Sequence, residues 1–234
     1  MTTKRAVSGD QYFYFIMSLL ITGIVIYGFS HTVNQNLFHP DLPRPWILWV
    51  HGALFSGWLL FFILQSALVR THNVRVHRNL GWFGAGLGAA IVIVGITTAI
   101  TMSRYEIRFH HATKAPAFLI VPFLDVTVFA IVFALAIYWR RKPEYHRRLM
   151  LIATCLLTSA AFGRFPNQAF SEYWFYAGVD LLIVIAILRD LIVSRVHPVY
   201  LYALPALIVA QTFAMHVYVT AAPGWVNIAD AILR

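Results

Sequence analysis

Histidine followed by arginine stands twice at the start of an apolar run, in "RVHRNLGWFGAG" (Arg75 to Gly86) and "RKPEYHRRLMLIA" (Arg141 to Ala153). A third histidine, His197 in "RVHPVYL", occupies a matching place. Arg70, Arg140 and Arg189 precede His77, His146 and His197 by seven, six and eight residues. Imidazole is a metal and haem-iron ligand, and guanidinium groups bind carboxylates and phosphates. Arginines that only fix topology and bind headgroups would account for the cations. They account less well for one histidine placed alike three times.

The chain holds 10 histidines. His51 and His216 lie near the ends of apolar runs opposite to His77, His146 and His197, and His110 and His111 precede another run. Two histidine layers at opposite sides of a helix bundle are what a transmembrane b-type cytochrome requires, because its irons take axial imidazoles from facing helices. The candidate cofactor residues are His51, His77, His146, His197 and His216, with Arg78 and Arg147 for haem propionates and Trp58 beside the ring. Of these, His51, His77, His146 and His197 are the expected iron ligands, and haem b the expected cofactor.

A second set is polar and lies within apolar segments: Gln65, Asp125, Arg164 and Asp180. Intramembrane acids mark proton relays or buried cation partners, and the competing reading is an interhelical hydrogen bond. Residues seven apart share a helix face. His51, Trp58, Gln65 and His72 make one such stripe, Asp125 lies on another, and Tyr202, Val209 and His216 make a third. Each is expected to face the bundle interior. His77, Gly81, Gly84, Gly88 and Gly95 form a glycine stripe that suits close helix packing or a flat macrocycle, packing being the commoner cause.

These residues need helices across a bilayer to position them. The 234 residues are 60% hydrophobic and 12% charged, and the apolar blocks approach the roughly 20 residues that cross a bilayer. Lipid leaves helices as the structure for such blocks. Seven are expected, near 12–30, 46–69, 80–102, 116–139, 149–163, 174–193 and 199–219, the fifth short for a span. The reading is an all-α polytopic membrane bundle in one domain, residues 1–234. The polar N-terminus lacks a signal-peptide pattern, so the first block reads as an anchor. Lys and Arg divide twelve to six between alternate connections, which predicts an N-in/C-out orientation and gives the net charge of +9 a membrane explanation. Short connections make neighbouring helices antiparallel partners, and the shared Arg-to-His arrangement makes the 2–3, 4–5 and 6–7 pairs look like three related hairpins.

Other chemistries lack their motifs. There is no HExxH, nucleotide loop or serine elbow, no mid-span lysine in the last helix, and no aromatic-interleaved basic groove for nucleic acid. The lone Cys155 reads as a core residue.

The runs "WILWVHGALFSGWLLFFILQSALV…VHRNLGWFG", "RRKPEYHRRLMLIAT" and "LRDLIVSRVHP" resemble a widespread family of small, uncharacterised bacterial inner-membrane proteins. That family carries a His…Trp…Gln helix and HR-x-L-G and HKRLM-like entries. "HRRLM" is also similar to small membrane proteins linked to haem-copper oxidase assembly. The resemblance spans about residues 46 to 230. The pattern includes His51, Trp58, Gln65, His77, Arg78, Gly81, His146, Arg147, Arg148, Arg164, Asp180, Asp190 and His197, while His216 and the His110/His111 pair fall outside it. It implies respiratory or haem biology in the bacterial cytoplasmic membrane. The function expected is haem b binding for electron transfer or respiratory-complex assembly. The alternatives are a non-enzymatic accessory subunit of a larger membrane complex and a proton-coupled carrier.

Overall fold

The computed structural model describes residues 4–166, 174–193 and 195–234, with side chains from residue 12 onward. The described residues hold helices and no strand. The long ones are α1 (Lys4–Ser30), α2 (Ile47–Arg70) and α3 (Val74–His110). A four-residue turn, α4 (Ala115–Phe118), leads into α5 (Ile120–Tyr138). Then come α6 (Pro143–Leu156), the short α7 (Ser159–Phe162), α8 (Phe175–Val193), α9 (Pro198–Thr220) and α10 (Pro223–Leu233).

Five segments are long and apolar enough to cross a membrane: Tyr12–Ser30, Ile47–Arg70, Val74–His110, Ala115–Tyr138 and Pro198–Thr220. The chain is a multi-pass helical membrane protein. The fifth and sixth expected spans do not join that set. α8 carries Asp180, Arg189 and Asp190 within its 19 residues. α6 is only 14 residues and opens on "PEYHRR".

For α6 the reason lies in where it sits. α6 packs on α1, α5, α8 and α9, and every residue from Arg148 to Leu156 except Met150 is buried. A helix enclosed by protein does not need an apolar surface all round. Around it, α1 packs on α2, α2 on α3, α3 on α5, α5 on α9, and α8 on α9.

The central helix is broken between α6 and α7. Thr154 donates its hydroxyl to the Met150 carbonyl at 2.9 Å, and Thr158 donates to Cys155 at 2.6 Å. Such back-bonding competes with the helical ladder and bends it. Here the backbone tightens to three-residue bonds, Leu157 to Thr154 and Thr158 to Cys155. The run "TCLLTS" therefore writes the break into the sequence.

At Gly28, α1 lies against the backbone of α7. A Cβ built there would lie 2.3 Å from the Ala161 carbonyl oxygen. Far from the arginine-rich connections, Arg44 pairs with Glu106 at 2.8 Å, and Trp225 of α10 donates to the Pro116 carbonyl at 3.1 Å. The C-terminal helix is thus tied to α4 by its tryptophan.

Candidate functional site

The three histidine-bearing connections do come to one end of the bundle, here called the cationic end, and they divide into two neighbouring clusters.

The first is ionic. Arg148, buried on α6, clamps Asp190 of α8 with two parallel bonds, Nε to Oδ2 at 2.9 Å and Nη2 to Oδ1 at 3.0 Å. Its third nitrogen reaches the Glu144 carbonyl at 2.9 Å and the Glu144 carboxylate at 2.6 Å. Arg189 adds a bond to Asp190 Oδ1 at 2.8 Å, and the His197 backbone N–H donates to Oδ2 at 3.3 Å. Arg147 also pairs with Glu144. The cluster ties the starts of α6 and α9 to the end of α8. Two desolvated ions are tolerable in this way because every carboxylate oxygen has donors.

His197 belongs to this cluster. Its Nδ1 accepts the Val199 N–H at 3.2 Å, capping α9, and its ring stands edge-on to Tyr145 with centroids 4.6 Å apart. The expected iron ligand acts as a helix cap. Burial first, and then the Arg148 guanidinium, hold its pKa below the ordinary imidazole value, against the opposing charges of Asp190 and Glu144. The unfolded chain therefore binds this proton more readily, so His197 reduces stability as pH falls below about 6.5. Replacing His197 by Asn keeps a capping acceptor. Unfolding measured from neutral to acidic pH should show a shallower acid-side loss in His197→Asn than in wild type; identical slopes would refute this assignment.

The second cluster joins α2, α3 and α6. His77 and His146 face each other with ring centroids 6.3 Å apart and planes at 75°. His146 Nδ1 is 2.9 Å from the Ala136 carbonyl at the end of α5, which makes it the protonated nitrogen and leaves Nε2 a lone pair. The Gln65 backbone faces the His77 ring, and His77 Nδ1 is buried without a hydrogen-bond partner. Both amide atoms of the Gln65 side chain are likewise buried and unpartnered. Gly81, one turn from His77, has nothing within 4 Å of where a Cβ would stand. Buried polar atoms are nearly always satisfied, so such a concentration marks a place where a ligand or water completes the set. Chemically, the arrangement offers two imidazoles to a group lying between them. Arg78 is exposed beside His77, and Arg147 stacks over Tyr14 with 5.5 Å to the ring centroid.

The rest of the glycine stripe is helix packing. A Cβ at Gly84 would meet Phe61 at 2.4 Å, and one at Gly88 would meet Phe133 at 2.4 Å. Trp58 is buried edge-on to Phe129 and Phe133, with centroids 5.5 Å away in both cases.

The opposite histidine layer does not assemble. His51 is stacked on Phe55 at 4.0 Å with Arg164 as its charged neighbour. Arg164 donates to the Ala160 carbonyl at 2.6 Å and lies over Phe29. His216 is exposed, on the same outward face as Tyr202 (79% exposed) and Val209 (70%). That corrects the expected inward stripe on α9. Its buried face carries Tyr200, Leu207, Gln211 and Ala214, while Tyr202, Val209 and His216 lie on the exposed side. His72 also leaves the α2 stripe, lying beyond the helix end at φ 61°.

Asp125 and Asp180 do point into the protein. Ser159 donates to Asp125 Oδ2 at 2.6 Å and Tyr176 to Oδ1 at 2.7 Å. Asp180 has a buried, unpartnered Oδ1, with Gln211 of α9 the side chain that acts on it. Ser159, Tyr176, Gln211 and Glu144 were not singled out from the sequence. Only Glu144 had a legible signal there, three and four residues before Arg147 and Arg148.

Among the described residues, no three of His, Cys, Asp and Glu converge as a metal-binding group. No protein-family model, curated protein or solved structure matches the chain.

Proposed function

We propose that this is a seven-span, N-in/C-out protein of the bacterial cytoplasmic membrane that holds one haem b between His77 and His146. In this reading α6–α7 is the fifth span and α8 the sixth, both shielded from lipid on much of their surface. The cationic end faces the cytoplasm, as the distribution of Lys and Arg favours.

The observation that carries the reading is the spacing of the imidazole pair. The His77 and His146 rings stand with centroids 6.3 Å apart, close enough that both could hold one haem iron from opposite sides. The carbonyl bond at His146 fixes its tautomer in the manner usual for metal-bound imidazoles. Two imidazoles are too few donors to hold a bare ion here, whereas they would suffice to hold a haem. Space at Gly81 suits the edge of the ring, and the exposed Arg78 suits a propionate, while Arg147 is engaged by Glu144 and Tyr14. A haem held by both imidazoles would supply one-electron transfer. His77 and His146 hold and orient it, and Trp58, Phe129 and Phe133 exclude water on the bundle side. One haem is proposed, not two, because His51 and His216 do not face one another. A respiratory complex or its assembly is the expected setting, consistent with the resemblance noted above.

Absorption of detergent-purified protein, oxidised and dithionite-reduced, with a pyridine haemochrome count tests this. One haem per chain supports it. Colourless protein that purifies with a stoichiometric membrane partner would favour the accessory-subunit reading instead.

A further inference from the structure

Two aspartates inside the bundle, the buried Asp190 and the half-buried Asp125, have partners that differ in kind. Asp190 is held by the guanidinium groups of Arg148 and Arg189 and by a backbone N–H. All of these donate only, so a proton on Asp190 would face donors with no acceptor. Asp125 is held by two hydroxyls, Ser159 Oγ on Oδ2 and Tyr176 Oη on Oδ1. A hydroxyl can donate or accept by rotating. Both protonation states of Asp125 can therefore be satisfied without moving the backbone.

We propose that Asp125 is a reversible proton-binding site inside the membrane domain, built from α5, α7 and α8 beside the break in the central helix. The proton comes from water and returns to it. An O–H bond forms at one carboxyl oxygen, and the hydroxyl facing that oxygen turns from donor to acceptor. No charged side chain is among the groups acting on Asp125: α7 brings Ser159 and α8 brings Tyr176, while α3, α6 and α9 add no ion to it. Taking a proton at Asp125 therefore removes a charge that no neighbouring cation compensates, unlike at a carboxylate paired with arginine. The break supplies the position, because Ser159 begins α7 one residue after the helix has bent. A continuous helix would carry this hydroxyl on round the axis. The inference stands whether or not haem is bound.

Infrared difference spectroscopy of the full-length protein in lipid, between about pH 5 and about pH 9, reads the site directly. A carbonyl stretch of a protonated carboxyl should appear on acidification, shift in H2O/D2O exchange, vanish in Asp125→Asn and persist in Asp180→Asn. In Ser159→Ala and Tyr176→Phe the band should move in frequency, which keeps the test available if Asp125→Asn fails to fold. A band lost in Asp180→Asn instead, a band indifferent to both hydroxyl variants, or no titrating carboxyl band overturns the proposal.

Discussion

Arg148→Ala should cost the protein about 3–5 kcal/mol of stability, read by thermal or denaturant unfolding in detergent. The side chain of Asp190 is only 1% exposed and that of Arg148 6%. Removing the guanidinium deletes both parallel bonds and the tie to Glu144, and strands a carboxylate where water does not reach. Arg189 and the His197 N–H still touch Asp190, but each offers one bond from the flank. Because the cost comes from a buried carboxylate left with its main partner gone, Arg148→Leu combined with Asp190→Leu should recover much of the loss. A single-variant loss below about 1 kcal/mol, the range of an exposed pair, would mean that the cluster is hydrated.

Gly28→Ala is the second large effect. Between membrane helices the hydrophobic drive is weak, and close van der Waals contact takes its place. The added Cβ would meet the Ala161 carbonyl oxygen at 2.3 Å and its carbon at 2.9 Å. Backbone cannot rotate aside as a ring can, so α1 and α7 must separate. Overpacking of this kind costs about 1–3 kcal/mol. Gly52→Ala is the matched control, since nothing lies within 4 Å of its Cβ position. It should be neutral or gain up to about 1 kcal/mol from helix propensity. Equal melting behaviour of the two variants would contradict the contact.

Much of this was legible in residue pattern. The apolar blocks located the helices because each must bury its backbone bonds within itself. The His-Arg entries marked one end of the bundle, where His77 and His146 do meet. The Arg148–Asp190 clamp was not legible, since 42 residues separate its members and either could have faced solvent. The α9 stripe misled for a related reason. Seven-residue spacing identifies a face but not its direction, and on α9 the apolar tyrosine and valine sit outward with His216. The central place of α6 was hidden by its shortness, which read as a weak span. Buried among other helices, it can carry Arg148 and a break that a lipid-facing helix could not tolerate.

The measurement closest to the central claim is the reduced-minus-oxidised spectrum of wild type beside His77→Ala, His146→Ala and His51→Ala. The account predicts haem bands in wild type and in His51→Ala, and their loss in each of the other two variants. Bands that survive in both His77→Ala and His146→Ala, or disappear only in His51→Ala, would contradict it.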